Sequence, residues 1–278
     1  MSLKLMYITN RPDVAQIAES AGVDRIFVDL EYIGKNLRQR GMDTVQNYHT
    51  PGDVSNIRKA ITKAELLVRI NPIHEATEQY TSSKEEIDAV IEAGADIVML
   101  PFFKNVEEVS TFVQLVDGRA KTMPLFETPE SIENIDEILA VDGIDEVFIG
   151  LNDLSLGYGK QFMFELLTDG TVETISLKFK KKGLMFGFGG IASLGKGILP
   201  SEYIIREHYK LGSTCAILSR NFCNVKNIQH LGMICSTFFN GIREIRTFEK
   251  ECKWHADFFW NSNREMCNRV NKIIEGLN

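Results

Sequence analysis

No run of apolar residues in this 278-residue chain approaches a membrane span, and the opening MSLKLMYITNRPD holds too short an apolar stretch for a secretory signal. Those absences lead us to expect a cytoplasmic protein without a membrane anchor. There is no excess of basic residues either: Lys and Arg number 31 against 38 Asp and Glu, a formal charge of −7, with both signs mixed along the chain. That balance speaks against a nucleic-acid surface or a polybasic membrane patch, so any anion has to be bound locally. Cysteine is sparse. Cys215, Cys223, Cys235, Cys252 and Cys267 are scattered and late, and offer neither a close metal-ligand pair nor a small-domain disulfide framework, so they read as reduced structural thiols. Low-complexity tracts and composition breaks are missing too, which favours one large α/β domain over two.

What is present is alternation. Apolar runs of strand length, LKLMYIT, RIFVDLE, LLVRINP, DIVMLPF, KTMPLFE, EVFIGLN, LMFGFGG and TCAILSR, are separated by segments of helical periodicity. Their number, roughly eight, is the number that closes a ring of parallel strands, the TIM (β/α)8 barrel. SKEEIDAVIEAG puts Ile87, Val90 and Ile91 on one stripe with Gly94 as a stop; Thr128 caps a helix that has Pro129 in its first turn and Ile132, Ile135, Ile138 and Leu139 on its inner face. The barrel is expected over residues 1–224. Residues 225–278 read as an extended C-terminal helical segment, with Phe238, Ile242, Ile245, Phe248 and Cys252 at helical spacing and Phe258, Phe259 and Trp260 adding apolar surface. That segment is expected to close the barrel and to pack on a neighbouring subunit of a homo-oligomer. Gly34 to Asp53 shows no clear periodicity and follows the second strand, where barrels carry functional loops.

In a parallel barrel the C-terminal strand ends meet on one face. Read in order they supply Asn10 and Arg11, Asp29 and Glu31, Arg69 and Asn71, Glu127, Asp153, the Gly187 to Gly190 segment, and Ser219 with Arg220. Glu127 and Asp153 are hard oxygen donors on adjacent strands, and two carboxylates with water and substrate oxygens suit Mg²⁺ or Mn²⁺. Taken singly, Glu127 could instead face the positive end of the next helix and Asp153 cap one. Arg69 ends an apolar strand and needs an anion: either Asp29 or Glu31 inside the protein, or a substrate carboxylate held side-on. The glycines of GFGGIASLGKG read as relief of crowding ahead of phosphate binding, and Lys196 takes no role. No strand candidate ends in lysine, and Lys121 begins its strand, which disfavours Schiff-base chemistry and favours a metal-stabilised enolate.

Several ordered motifs, AGVDRIFVDLE, LLVRINP, AGADIVMLPFFKNVEEV and PLFETPESIENIDEILAVDGIDEVFIGLNDLSLGYG, together resemble the HpcH/HpaI aldolase and citrate lyase family from about Ala15 to Arg220. The resemblance implies a pyruvate- or phosphoenolpyruvate-handling barrel in which Glu127 and Asp153 bind the divalent metal. It implies further that Arg69 holds the carboxylate or polarises the carbonyl of a pyruvate-like moiety, and that the backbone amides of Asn152 and Asp153 receive the carboxylate. The substrate would be a small 2-oxo acid or an acyl-CoA-type molecule, cleaved at a carbon–carbon bond. Where pyruvate aldolases of the family carry a histidine after the acidic pair, this chain has Tyr32. Asp29, Glu31 or a metal-held water then stands as the base, with Tyr32 as a proton donor or a packed aromatic, and His49 either enters from the irregular loop or is a solvated surface residue. The alternative is a non-catalytic paralogue that binds a 2-oxo acid or metabolite.

Overall fold

The computed structural model describes residues 2–35, 49–225, 227–228, 230–252 and 256–277, with only the backbone described at 256–258, 260 and 261. Eight parallel strands close into a barrel in sequence order. They are β1 (Lys4–Ile8), β2 (Arg25–Asp29), β3 (Glu65–Arg69), β4 (Ile97–Leu100), β5 (Lys121–Phe126), β6 (Glu146–Ile149), β7 (Met185–Ile191) and β8 (Cys215–Leu218), with β8 pairing back onto β1. All eight strand candidates of the sequence are present.

Two apolar layers hold the barrel. Met6, Phe27, Leu67, Ile97, Met99, Met123, Leu125, Phe148 and Cys215 fill its interior, while strand residues such as Ile26, Val68 and Val98 pack outward against the helices. The interior explains one glycine directly. A Cβ on Gly187 would lie 2.6 Å from Phe148 Cε2, so a larger residue in β7 would displace the ring that fills the centre. Crowding therefore accounts for Gly187, and the β7–β8 register shifts between Gly187 and Gly190.

The helices begin where their caps predict. Helix α1 spans Pro12–Ser20; α2 (Pro51–Ala60), α3 (Ser83–Glu92), α4 (Val106–Val116) and α5 (Pro129–Glu133) start with reciprocal capping boxes at Thr50/Asp53, Ser82/Glu85, Asn105/Glu108 and Thr128/Ser131. Ile87 and Val90 are buried and Gly94 follows α3 at φ +100°. Two differences from expectation stand out. The segment after Thr128 is broken at Asn134 into α5 and a one-turn α6 (Ile135–Ile138), where Ser131 is buried and Ile132 only half-buried. The stretch expected to be irregular through Asp53 already becomes helical at Pro51, because Thr50 and Asp53 cap it; residues 36–48 lie outside the described residues.

The remaining helices are α7 (Leu151–Gly157), α8 (Glu165–Thr168), α9 (Thr171–Lys181), α10 (Ser201–Leu211), α11 (Leu231–Cys252) and α12 (Ala256–Leu277). Helix α11 packs between α1 and α10, where the eighth helix of a barrel belongs, and buries Phe238, Ile242, Ile245, Phe248 and Cys252. It is tied to the start of β1: the Leu3 N–H donates to Glu249 Oε1 at 2.8 Å and Arg246 donates to the Leu3 carbonyl at 2.7 Å. Helix α12 packs on α10 and α8; the side chains of Phe258 and Trp260 lie outside the described residues.

Below the interior layer, at the N-terminal strand ends, sits a buried charge cluster that the sequence reading missed. Arg25 of β2 is fully buried and binds Glu146 of β6 side-on, at 2.8 and 2.6 Å, while its Nε donates to Glu65 of β3 at 2.8 Å. Lys4 and Lys121 also reach Glu65, at 3.4 and 2.6 Å. Although burial pushes the other way, hydrogen bonds from Lys121 and Arg25 bring the Glu65 carboxyl down to about 2. Lys121 thus belongs to the end of the barrel away from the site, as expected.

Candidate active site

At the other end the C-terminal strand ends surround a cavity of about 630 Å³. Its floor is apolar, with Phe27, Met99, Leu125, Phe148 and Ile217, and its rim is polar. Asp29, Arg69, Glu127, Asn152 and Asp153 all line it. Five of the seven residues expected at the site therefore meet there, drawn from β2, β3, the end of β5 and the first turn of α7. Glu31 and Tyr32 do not line the cavity.

On the β5–β6 side, Glu127 is buried and its Oε1 accepts the Phe102 N–H at 3.0 Å. Phe102 itself adopts a left-handed backbone, φ +50°, which is uncommon for a bulky residue and gives this N–H its direction. Gly150 completes the setting: a Cβ there would fall 2.6 Å from both Cβ and Oε2 of Glu127, so the carboxylate occupies the space a side chain would take. Asp153 does not cap a helix. The cap position of α7 is Gly150, and Asp153 lies in the first turn, buried, with Asn152 Nδ2 3.4 Å from its Oδ1.

On the β2–β3 side the strand register sets Asp29 beside Arg69. Arg69 grips Asp29 side-on, with Nε–Oδ1 and Nη2–Oδ2 both at 2.8 Å, and its Nη1 lies 3.3 Å from Glu31 Oε2. Of the two anions open to Arg69, the internal one holds the fork, so a ligand meets this guanidinium through its remaining N–H groups. Lys35, a residue the sequence reading passed over, is buried and reaches Asp29 at 3.0 Å and Glu31 at 3.2 Å. Among the described residues, two cations thus face two carboxylates here. Burial opposes ionisation of Asp29, but Arg69 and Lys35 hold its carboxyl well below the usual carboxylate range. The Arg69 guanidinium also lies over the Phe27 ring, 5.7 Å from its centroid.

Tyr32 is turned away from this chemistry. The residue is 40 % exposed, its ring packs on Tyr80 with centroids 5.3 Å apart, and its backbone N–H donates to Asn71 Oδ1 at 3.0 Å. Asn71 in turn donates through Nδ2 to Glu86 at 2.8 Å, so this asparagine pins the backbone of the loop after β2. The residue that does enter is His49. It lines the cavity, and its Nδ1 accepts the Asp29 N–H at 3.0 Å. Asn10, Arg11, Gly189, Gly190, Ser219 and Arg220 complete the rim, with Arg11 bound side-on to Asp13 at 3.1 and 2.6 Å.

Among the described residues no group of three or more His, Cys, Asp or Glu is arranged as metal ligands. The donor set at hand is the carboxylate pair. Two hard oxygens on one wall, one of them held over Gly150, suit a hard divalent ion that keeps its other positions for water and substrate.

A parallel eight-stranded barrel with carboxylates at the ends of adjacent strands defines the class: a (β/α)8 protein whose working face is the C-terminal one. Residues 4–184 match the family model described as HpcH/HpaI aldolase/citrate lyase, and the chain belongs to that family. A hydroxypyruvate/pyruvate aldolase of Roseovarius nubinhibens is 24% identical over 160 residues, covering 53% of this chain and 61% of that protein. The chain thus spans about three fifths of the length of that relative. Among solved structures, an HpcH/HpaI aldolase/citrate lyase family protein from Burkholderia cenocepacia J2315 superposes with a TM-score of 0.63 at 14% identity, covering 84% of this chain and 95% of that one. An HpcH/HpaI aldolase from Desulfitobacterium hafniense DCB-2 gives 0.59 at 18% identity, covering 78% and 86%. At those identities the likeness is one of fold.

Proposed function

We propose that the chain is a divalent-metal-dependent carbon–carbon lyase that forms or cleaves a 2-oxo-4-hydroxy acid or a malyl-type substrate through an enolate. The observation that carries this reading is the placement of Glu127 and Asp153 on one wall of the cavity, with the Asp29–Arg69 pair on the β2–β3 side. Glu127 and Asp153 are the residues that would hold Mg²⁺ or Mn²⁺. A bound ion supplies the positive charge that retains the anionic half and stabilises the enolate oxygen. Arg69 donates to the 2-oxo acid, and the backbone amides of Asn152 and Asp153 offer donors to its carboxylate.

Asp29 is a poor base. Its carboxyl is committed to Arg69 and Lys35 and held far below neutral pH, so Asp29 and Glu31 order the rim and leave the hydroxyl proton to a base drawn from solvent. The apolar floor excludes further water from the reacting carbons. Because Arg69 and Lys35 are already balanced by Asp29 and Glu31, affinity for a 2-oxo acid is expected to depend on the metal. Calorimetric titration with oxalate, with and without chelator, checks this; equal affinity in both would contradict it. Glu127→Gln is expected to lower both metal affinity and turnover, the latter by roughly 100-fold or more. Retention of both by that variant would overturn the assignment.

The non-catalytic reading draws on Tyr32, which leaves the cavity without the histidine expected after the acidic pair. Oxalate binding without any lyase turnover would support that reading. We also propose a cytoplasmic homo-oligomer. Leu231, Met233 and Phe239 of α11 are 44%, 59% and 46% exposed, which supports a subunit contact on that helix. Sedimentation velocity is expected to give a mass above the 31.5 kDa of one chain. A mass of one chain would remove the basis for assembly.

A further inference from the structure

Glu86 is a carboxylate buried outside the cavity. It lies in the first turn of α3, where an acidic residue suits the helix dipole, yet its neighbour Glu85 already serves that helix end. Glu85 is exposed and accepts the Ser82 N–H at 2.9 Å in the capping box. Glu86 is only 9 % exposed and is spent on one residue: both its oxygens lie 3.2 Å from the Asn71 backbone nitrogen, and Asn71 Nδ2 donates to Oε1 at 2.8 Å. A side-chain amide is oriented by its partners, because its nitrogen only donates and its oxygen only accepts. With Nδ2 on Glu86, the Asn71 Oδ1 is turned to the loop after β2, where it accepts the Tyr32 and Ile33 N–H groups, both at 3.0 Å. The chain then closes a turn in which the Lys35 N–H donates to the Tyr32 carbonyl at 3.3 Å and Gly34 takes φ +73°. That turn brings the Lys35 ammonium back to Asp29 and Glu31, at 3.0 and 3.2 Å.

We infer that Glu86 and Asn71 are positioning residues of the 2-oxo acid site, acting through the Tyr32–Lys35 turn to seat Lys35 on Asp29 and Glu31 beside Arg69. This rests on the reading of that wall given above. Neither residue lines the cavity, so neither acts by touching a ligand there. What they govern is charge. With Lys35 seated, it shares the two carboxylates with Arg69. Without it, Arg69 faces both by itself among the described residues, and the wall turns more negative toward an incoming carboxylate. A carboxylate suits the position of Glu86 because it has acceptors only: it cannot present a donor that would let the Asn71 amide flip.

Two measurements on the full chain test the relay. Glu86→Leu removes both acceptors, while Glu86→Gln keeps one oxygen for Asn71 Nδ2. In hydrogen exchange followed by NMR, Glu86→Leu is expected to speed the Tyr32 and Ile33 amides by roughly tenfold. Leu30, whose N–H donates to the Arg69 carbonyl, is expected to keep its protection, and Glu86→Gln to fall between the two proteins. Unchanged exchange at Tyr32 and Ile33 would overturn the inference even if the protein proves a lyase. Titration with oxalate and Mg²⁺ reads the consequence for the site. Affinity is expected to fall roughly tenfold in Glu86→Leu and in Lys35→Met, and no further in the double variant. Losses that add would mean that Glu86 acts otherwise than through Lys35, and would equally sink the proposal. Should Glu86→Leu fail to fold, Glu86→Gln carries the same cycle with smaller losses, and additivity with Lys35→Met again decides against it. An unsubstituted protein that does not bind oxalate would remove the 2-oxo acid reading and the positioning role with it, while exchange at Tyr32 and Ile33 would still decide whether Glu86 holds the turn.

Discussion

Both ends of the barrel carry an arginine bound side-on to a carboxylate of another strand. At the N-terminal end Arg25 reaches across the interior to Glu146, and Glu65 shares its Nε, so the cluster is closed on itself beneath the Met6 and Phe27 layer. At the C-terminal end Arg69 holds Asp29, but Glu31, Lys35, His49, Glu127 and Asp153 stand with or beside the pair around a cavity of about 630 Å³. Residue type does not separate the two. The distinction lies in what surrounds the pair: at one end a cluster of opposite charges, at the other an additional carboxylate pair and a histidine that line a cavity. The same chemistry that fixes the barrel below is available for a ligand above.

The comparison breaks most visibly at the bottom. Arg25→Ala leaves Glu146 buried without its partner, and a loss of about 3–5 kcal/mol is expected in urea unfolding. Replacing both, with Arg25→Met and Glu146→Leu, is expected to recover most of it. A small effect of Arg25→Ala would mean that the cluster is not what holds that end. Gly150→Ala probes the mouth instead. Its Cβ displaces Glu127, so metal affinity should fall by about 10-fold while unfolding changes little. Unchanged affinity in isothermal titration would separate Glu127 from the metal.

A gentler test uses a group belonging to neither end. His208 of α10 stacks on Phe188 at 3.8 Å, and burial pushes its ring down from 6.5 to about 3. The unfolded chain then takes up a proton that the folded one refuses, so stability is complete above pH 6.5 and declines as pH falls toward 3. The expected slope is about 1.4 kcal/mol per pH unit within that window, absent in His208→Asn. Glu65 and Asp29 act lower: with Glu65 brought down from 4.5 to about 2 and Asp29 depressed below 3.8, the stability they contribute starts to be lost only as pH falls through those ordinary carboxylate values. A pH profile with no decline until pH 4 would remove His208 from the account.

Much of this was legible before the fold was known, and the rest was hidden for definable reasons. Strand count and order followed from apolar runs, and Glu127 and Asp153 were visible because each directly follows such a run. Arg25 was not, because its partner Glu146 is 121 residues away and a charged residue opening a strand looks solvent-facing. Lys35 was missed because it lies in a loop, where no periodicity says which way a side chain points. His49 had a usable signal: Thr50 and Asp53 form a capping box, and a helix starting there must start at the barrel mouth, which places the preceding residue by the site. Tyr32, placed by its neighbours in sequence, is carried outward by the Asn71 contact.

The central claim is that the upper end works as an enolate site built on Glu127 and Asp153. Its most direct test is exchange of the methyl hydrogens of pyruvate for deuterium, followed by NMR on the full chain with Mg²⁺ or Mn²⁺. The account predicts exchange that disappears with chelator and in Glu127→Gln and Asp153→Asn. Exchange that persists in chelator, or an unsubstituted protein that binds pyruvate and never exchanges it, would contradict it.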